Sequence, residues 1–442
     1  MADTDYPASW YAATRDSSPD RPPLAGKVEA DVAVVGAGFA GLHTARLLAT
    51  GGCKVVLVER RRIGWGASGR NGGFVSAGFA ARSAALIDRL GLDHARRLYA
   101  QSQRGVAIVR TALDKLDRRD IRMGQILMGM GKLTVSRTDQ GAGFTDRTRA
   151  LAEKLGASFE PWETARVRAL IASERYHQAI HDPQSFHIHP LNFALALARD
   201  IEGLGASVHE RSEATGLERQ GAAWHLRTAG GKIAARHVVL AGNADLGGVR
   251  PRIARAVLPV ATYVAVTEKI GPRLARILRW TGAISDTRRA GDYYRIVDGD
   301  RLLWGGRITT DTREPPRLRD MMLGDIVSVY PELDGVRIDY AWPGIMGYAP
   351  HMMPQVGEIE PGLWVCSAFG GHGLAQTAAG ADVIAAGILG EDDRWKMFAP
   401  FGTAWAGGPL GRLATQLVYW KLQAGDWWDE KRQAENAEKL RT

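Results

Sequence analysis

Residues 31–59 constrain the fold of this chain more than any other segment. The β-branched run Asp31–Val35 is followed by G-A-G-F-A-G at residues 36–41, and a helical pattern comes next. A second β-branched run, Lys54–Val58, leads directly to Glu59. Strand, glycine turn, helix, strand and acid in this order are typical of a βαβ unit in a parallel sheet.

The glycine turn of this unit predicts a site for a dinucleotide. Gly36 permits the tight turn, Gly38 lets the backbone approach a pyrophosphate, and Gly41 lets the helix pack close to the strand. The helix N-terminus adds N–H groups and a positive dipole end, and Glu59 is placed to accept ribose hydroxyls. We predict contacts to the nucleotide from this group of residues: Gly36, Ala37, Gly38, Phe39, Ala40, Gly41, Glu59 and Arg60.

Composition limits the remaining possibilities. The chain has 442 residues, of which 45% are hydrophobic and 24% charged, so two or three domains are expected. No apolar run is long enough for a transmembrane helix, and the N-terminus lacks the pattern of a signal peptide. Cys53 and Cys366 provide no disulfide framework, which favours a cytoplasmic protein. The net charge of +9 is scattered, so we expect acidic small molecules rather than nucleic acid as partners.

Three further segments carry glycine or small residues where a cofactor would lie. Residues 63–74 begin just after Glu59, at the carboxyl ends of the strands, and predict close backbone approach to a phosphate or a flat ring. Residues 369–374 are expected to form another strand–glycine–helix junction, at which the helix N-terminus favours an electron-rich group. Residues 238–243 are expected to form an apolar strand that ends in small residues. The candidates are Ser68, Gly69, Arg70, Asn71, Gly72, Gly73, Ala214, Ala241, Gly242, Gly344, Gly370, Gly371, His372, Gly373 and Leu374.

Other chemistries find no support in the sequence. The four histidines between residues 177 and 189 are not completed to a standard metal-ligand spacing, so we expect no metal site. The chain has no G-x-S-x-G elbow and no Walker lysine, which argues against a hydrolase or a nucleoside triphosphatase.

The nucleotide-binding segments are interleaved with others that alternate like antiparallel strands. This favours an α/β fold, α+β overall, in which an FAD-binding Rossmann-like two-dinucleotide fold is interleaved with an antiparallel-sheet substrate domain. The predicted division is an arm over residues 1–28, an FAD-binding domain over 29–85, 176–250 and 341–395, a substrate domain over 86–175 and 251–340, and a helical tail over 396–442.

These motifs resemble the D-amino-acid-oxidase-type FAD oxidoreductases, and most of all the γ-glutamylputrescine oxidases among them. The resemblance rests on the fingerprint, on I-G-W-G-A-S-G-R-N-G-G at 63–73, on H-I-H-P-L-N at 187–192, on D-Y-Y-R at 292–295, on R-L-L-W-G-G at 301–306 and on F-G-G-H-G at 369–373. It implies FAD bound in an extended conformation, with a β-sheet domain covering its isoalloxazine ring. It also implies oxidation of a C–N bond, in which a neutral amine gives hydride to flavin N5, the imine hydrolyses, and O2 becomes H2O2.

The resemblance also implies roles for individual residues, and at some positions this sequence departs from the pattern of the family. Segment 36–59 would hold ADP, segment 68–72 would follow the ribityl chain and ring, and 371–373 would meet the pyrimidine edge. Relatives that tether flavin use a cysteine in the segment that here is Trp342–Met346, so we predict non-covalent FAD. Leu374-Ala375-Gln376 stands where amino-acid-type relatives often place a basic residue. A longer amine, or one whose carboxylate is held elsewhere, therefore fits better than a simple amino acid.

The catalytic and substrate-binding candidates are aromatic and basic residues of the predicted roof. Aromatic walls exclude water and favour a neutral amine. Arg307 is a candidate to hold a γ-glutamyl carboxylate or a developing anion, in which case its loss would raise KM, and the alternative is a surface arginine. The catalytic candidates are His372, Arg307, Tyr294, Trp342 and Tyr348, with Tyr293 and Trp304 as further walls.

Two alternatives remain open at this point. One is a dehydrogenase of the same fold that passes electrons to a quinone or carrier protein, and the other is a flavin-bearing RNA-modification or RNA-binding protein suggested by the charge. The apolar segment Trp405–Trp428 is expected to pack on its own domain rather than lie in a membrane surface.

Overall fold

The computed structural model describes residues 6–117, 126–288 and 291–439. The strands are β1 (Gly26–Val35), β2 (Val55–Val58), β3 (Phe74–Val75), β4 (Leu127–Val135), β5 (Glu160–Trp162), β6 (Ala179–Ile188), β7 (Ser207–His209), β8 (Ala214–Gln220), β9 (Ala223–Thr228), β10 (Gly231–Leu240), β11 (Leu258–Thr267), β12 (Ala283–Asp286), β13 (Tyr293–Val297), β14 (Arg301–Thr309), β15 (Ile338–Tyr348), β16 (Gln355–Glu360) and β17 (Leu363–Ser367). The helices are α1 (Trp10–Ala13), α2 (Phe39–Thr50), α3 (Ser83–Leu90), α4 (Leu92–Asp117), α5 (Phe144–Leu155), α6 (Thr164–Leu170), α7 (Pro190–Gly203), α8 (Pro251–Ala254), α9 (Pro272–Ile277), α10 (Leu318–Val329), α11 (Gly373–Leu389) and α12 (Gly408–Lys439).

The first sheet has the strand order β16-β17-β10-β1-β2-β7, with the β8–β9 hairpin attached to β10. Strands β17, β10, β1, β2 and β7 run parallel. All four residues of β2 are buried, as expected of a parallel strand covered on both faces. Val35 pairs with both Val58 and Leu240, so the carboxyl ends of the central strands meet at one edge. Ligands bind at this edge in sheets of this kind.

Helices rich in small residues cover this sheet. Helix α11 packs against both α2 and α4. The approach to α4 is close, because a Cβ on Gly105 would overlap the backbone oxygen of Ala375. Ala378 and Ala381 of α11 are fully buried. The tight packing fixes where α2 and α11 begin, and both N-termini face the cavity described below.

The second sheet has the strand order β15-β11-β14-β13-β12-β4-β6-β3, and β5 pairs with β6. Its pairs are antiparallel except for β4 with β12. Strands β6 and β15 belong to this sheet, although both overlap ranges that the sequence assigns to the cofactor-binding domain. The two sheets and their interleaved connections confirm the predicted fold class, whereas the domain boundaries stay predictions.

Both ends of the chain contact the rest of the protein. Trp10 and Tyr11 of the N-terminal segment are buried, so this segment is part of the core. In α12, Tyr419 packs on Leu258 of β11. Helix α12 contacts β11 and β14, as expected of a tail that packs on its own domain. Several large apolar side chains of residues 405–428 are nevertheless more than half exposed: Trp405, Leu410, Leu413, Leu417, Val418, Trp420, Trp427 and Trp428. Among the described residues, no helix combines the length and the apolar character needed to cross a membrane.

Candidate flavin and substrate site

A cavity of about 550 Å³ joins the carboxyl edge of the first sheet to the inner face of the second sheet. Most of the residues predicted to bind a cofactor line it, although they come from distant parts of the sequence. They are Gly36, Gly38, Phe39, Ala40, Glu59, Arg60, Ser68, Arg70, Asn71, Gly72, Ala214, Ala241, Gly242, Gly344, Gly370, Gly371, His372, Gly373 and Leu374.

The glycine turn at one end of the cavity has the geometry of a phosphate cradle. Gly36 has a φ of +104°, a conformation that favours glycine. A Cβ on Gly38 would lie 2.9 Å from Ser68 Oγ, and this hydroxyl accepts a hydrogen bond from the Phe39 N–H at 2.9 Å. Gly38 is the N-cap of α2 and makes no side-chain cap, so the first turn keeps amides available for an anion.

Glu59 lies at the end of β2 and closes the nucleotide side of the cavity. Its carboxylate accepts hydrogen bonds from the Ala37 N–H and the Arg61 N–H, both at 2.8 Å. Burial raises the pKa of Glu59, while the two backbone donors oppose the shift. The neighbouring Arg60 pairs with Asp245 at 3.0 Å. The acid is therefore held in a fixed orientation at the position expected for ribose binding.

Four predicted contact residues shape the cavity without lining it. Ala37 orients Glu59, and a Cβ on Gly41 would overlap the Gly36 carbonyl oxygen. A Cβ on Gly69 or Gly73 would likewise overlap a backbone oxygen. These positions let the backbone segments approach one another, so their effect on a cofactor is indirect.

The second sheet forms the opposite wall, with the Tyr293 ring at its centre. A Cβ on Gly72 would lie 2.6 Å from this ring, and one on Gly305 would overlap it. The Tyr293 hydroxyl is hydrogen bonded to the Thr262 side chain, and burial raises the pKa of Tyr293 to about 12. Glycines on two sides therefore make room for a neutral tyrosine that faces the cavity.

His372 stands at the N-cap of α11, beside the inner part of the cavity. Burial lowers the pKa of His372 to about 4, and the nearby Lys132 charge acts in the same direction. The ring hydrogen bonds to the Gly370 backbone, whereas Nδ1 is buried without a partner among the described residues. The imidazole is therefore neutral at pH 7 at the edge of the cavity.

The cavity has further polar residues that the sequence reasoning missed, and six of them lie on β4, on β12 or between β12 and β13. In the turn after β12, Arg288 pairs with Asp286 at 2.8 Å and also with Asp292. Burial raises the pKa of Asp292 to about 7, although Arg288 opposes the shift. Asp292 belongs to the D-Y-Y-R segment, but no local pattern places it or the others in a cavity, because strand pairing of distant segments brings them together. The six are Lys132, Thr134, Ser285, Asp286, Arg288 and Asp292.

Tyr293 apart, the predicted aromatic candidates lie behind the cavity lining or away from it. The Trp342 indole donates to the Arg70 carbonyl oxygen at 2.9 Å, and the Tyr348 ring lies against Gly370. Tyr294 stacks on Trp304 with 4.3 Å between ring centroids, inside the second core. Trp342 and Tyr348 thus pack against the backbone at Arg70 and Gly370, next to predicted flavin-binding residues. Tyr294 and Trp304 pack in the hydrophobic core of the second sheet.

Arg307 does not line the cavity either. Its guanidinium binds both carboxylate oxygens of Asp325, at 2.6 and 2.9 Å. This pairing satisfies the charge that the sequence reasoning assigned to a substrate carboxylate.

Because Arg307 lies outside the cavity lining and is held by Asp325, we expect Arg307→Ala to leave KM for any substrate within about twofold and to change the free energy of unfolding by roughly 1 kcal/mol or less. Steady-state kinetics with flavin content as the control measures this. A KM raised tenfold or more at full flavin content would return Arg307 to the substrate site.

Of the histidines considered for a metal, His181, His187 and His189 have other partners. His187 is bonded to Arg295 Nη1 at 2.9 Å, and His189 accepts from the Asn192 N–H at the start of α7. Burial lowers the pKa of both rings to about 3. No group of three or more histidine, cysteine or acidic side chains within the described ranges has the arrangement of a metal site.

The residues present fit FAD. A phosphate cradle, an oriented acid at the ribose position and a glycine-lined cavity beneath a sheet occur in one continuous space. The cavity also includes Cys366, whose thiol has its pKa raised to about 12 by burial. This thiol is protonated at pH 7 and hence a poor nucleophile toward a flavin.

Comparisons with known proteins agree with this fit. Residues 31–386 match the family model for FAD dependent oxidoreductases, DAO. The chain is 32% identical over 400 residues to γ-glutamylputrescine oxidoreductase of Escherichia coli (strain K12), covering 90% of this chain and 92% of that protein. It is 25% identical over 361 residues to glycine oxidase of Pseudomonas aeruginosa, covering 80% and 93%. The structure of glycine oxidase from Geobacillus kaustophilus aligns with a TM-score of 0.71 at 21% identity, covering 85% of this chain and 99% of that one.

The family resemblance seen in the sequence is thereby confirmed, and with it the dinucleotide and flavin interpretation. The chain is an oxidoreductase that belongs to the DAO family of FAD-dependent enzymes.

Proposed function

We propose that this enzyme oxidises a C–N bond of a secondary or γ-glutamylated amine and uses O2 as the electron acceptor. The observation that carries the proposal is the continuous cavity, in which the predicted flavin-binding residues share one space with His372, Tyr293 and a polar wall. The E. coli relative named γ-glutamylputrescine oxidoreductase supports this choice of amine. Bound FAD would supply an acceptor for hydride at N5 and a route for two electrons to O2.

The chain's own residues would bind and orient the amine. Tyr293 and its partner Thr262 wall the cavity and exclude water, which favours a neutral amine over its ammonium form. His372 lines the cavity, and because burial keeps its ring neutral the imidazole would accept a proton from an amine N–H. Gly38 and Glu59 would fix the nucleotide end.

A dehydrogenase that passes electrons to a quinone or a carrier protein is the second candidate. The exposed apolar side chains of α12, among them Leu410 and Trp420, favour it because such a surface suits a carrier or a lipid boundary.

Oxygen consumption tests the proposal and separates the two candidates. Holoenzyme with γ-glutamylputrescine should consume O2 and form one H2O2 for each amine oxidised, with no added acceptor. Putrescine and sarcosine serve as comparison amines. Turnover only with an added quinone or dye would support the dehydrogenase, and no turnover with any amine under either condition would contradict both.

We further propose that FAD is held without a covalent bond. The segment Trp342–Met346 contains no cysteine, and the buried Cys366 thiol is protonated. Precipitation of the holoenzyme with acid should therefore release all of the flavin into the supernatant. A pellet that stays yellow after washing would show a covalent link.

A further inference from the structure

A polar strip crosses the wall of the cavity that the second sheet provides. Thr134 of β4 pairs with Ser285 of β12, and Ser285 pairs in turn with Tyr293 of β13, so their side chains share one face of the sheet. Lys132 lies two residues before Thr134 and therefore on the same face. All four residues line the cavity.

Three members of this strip are hydrogen-bond donors without acceptors. Within residues 6–117, 126–288 and 291–439, no hydrogen bond or ion pair reaches the Lys132 ammonium or the hydroxyls of Thr134 and Ser285. Asp182 lies opposite Lys132 across β4 and β6, but its carboxylate binds the Ser185 hydroxyl and the Gln184 N–H. Burial lowers the pKa of Lys132, and Asp182 opposes the shift only through a Coulomb interaction.

Lys132 is half-buried beside the cavity, and an ammonium taken partly out of water without a partner is costly to the free protein. An anion bound beside it would remove that cost by supplying a charge and several acceptor oxygens, and two hydroxyls adjacent to the ammonium would complete its coordination. The strip is therefore suited to bind a negatively charged group that has several oxygen atoms.

Charges around the strip limit how negative that group can be. Asp286 and Asp292 share the single cation Arg288, which leaves this cluster negative when both acids are ionised. Asp182 adds a further acid beside Lys132. A dianionic phosphate would be repelled, whereas a carboxylate carries one charge only. The same acids favour a ligand that also bears an amine.

We propose that Lys132, Thr134 and Ser285 form a subsite for a carboxylate on the amine substrate. This deepens the proposed function, on which it rests, by assigning the substrate to the amines that carry a carboxylate away from the reacting C–N bond. It also supplies a place for a carboxylate in a chain that has Leu374-Ala375-Gln376, and no basic residue, after the G-H-G element. Lys132 is a specificity residue in this account and takes no part in the chemical step.

The test uses a pair of ligands that cannot be oxidised. N-butylglutaramic acid carries a carboxylate, and N-butylpentanamide, in which a methyl group replaces that carboxylate, is its neutral counterpart. Each is titrated into oxidised holoenzyme while the visible flavin spectrum and intrinsic fluorescence report binding. Lys132→Met should raise the Kd of the acid about 10- to 100-fold and leave that of the amide within about twofold. Lys154→Met, at an exposed site on α5, is the matched control and should change neither.

Two further variants keep the test decisive. Lys132→Arg should retain much of the affinity for the acid, and Thr134→Val should weaken it by a smaller factor than Lys132→Met. An unchanged Kd for the acid in a flavin-replete Lys132→Met protein would overturn the proposal. So would equal weakening of both ligands, or a loss of flavin affinity in Lys132→Met, since the latter would assign Lys132 to the cofactor. If Lys132→Met does not fold, an unchanged Kd for the acid in Thr134→Val would overturn the proposal.

These binding measurements are independent of turnover. Lysine-dependent binding of the acid in an enzyme that oxidises no tested amine would retain the subsite and reject the proposed function. Oxidation of γ-glutamylputrescine and N-acetylputrescine with equal kcat/KM, in both wild type and Lys132→Met, would retain the function and reject the subsite.

Discussion

Gly41→Ala is expected to give a protein that does not retain flavin and that unfolds at a clearly lower temperature. The added Cβ would overlap the Gly36 carbonyl oxygen and press on Val34. The first of these is a backbone atom of the glycine turn, so relief requires α2 to move away from β1. Overpacking of this kind costs about 3 kcal/mol or more, and the same movement distorts the phosphate cradle. The flavin-to-protein ratio and the thermal unfolding midpoint measure both effects.

Gly324→Ala is the matched control for this substitution. Gly324 lies inside α10, and a Cβ there would meet open space. Alanine should therefore leave flavin content unchanged and stabilise the helix by up to about 1 kcal/mol. Full flavin content and a wild-type unfolding midpoint in Gly41→Ala would show that the close approach of α2 to the turn is not required.

Arg295→Met is expected to lower the free energy of unfolding by about 3–5 kcal/mol and to weaken flavin binding. Arg295 is fully buried, and its guanidinium connects segments that are distant in sequence. It donates to the Gly72 and Ile188 carbonyl oxygens at 2.8 and 2.9 Å, to the Tyr11 hydroxyl at 2.9 Å, and is bonded to His187. Methionine fills similar space but leaves these acceptors buried without donors.

The effect on flavin follows from the Gly72 contact, since this residue lines the cavity. Denaturant unfolding and flavin titration of the apoprotein measure the two changes. Arg276→Met, on the exposed side of α9, removes the same charge and should alter stability by less than about 0.5 kcal/mol. Equal free energies of unfolding and equal flavin affinities in the two variants would show that the buried hydrogen bonds of Arg295 are not needed for folding or for cofactor binding.

The nucleotide end of the site could be predicted from the sequence because its parts are local. The turn at Gly36–Gly41 and the acid at Glu59 lie in one βαβ unit, and hydrophobic periodicity and glycine spacing both report on such units. The segments around Ser68 and His372 could be placed as well, since each follows a strand end of the same sheet.

The substrate end could not be predicted in the same way, because it depends on register between distant strands. In D-Y-Y-R, adjacent tyrosines face opposite sides of β13, and only tertiary pairing shows that Tyr293 faces the cavity while Tyr294 joins the second core. Lys132 reaches the wall through the pairing of β4 with β12. Arg307 finds its carboxylate, Asp325, on α10, and no local pattern indicates that ion pair.

The visible spectrum of the purified holoenzyme under anaerobic conditions, before and after addition of γ-glutamylputrescine, tests the central claim most directly. The account predicts a flavin absorption band that bleaches when the amine is added and returns when air is admitted. A flavin band that stays unchanged with this amine and with other secondary and γ-glutamylated amines would contradict the proposed oxidation of a C–N bond.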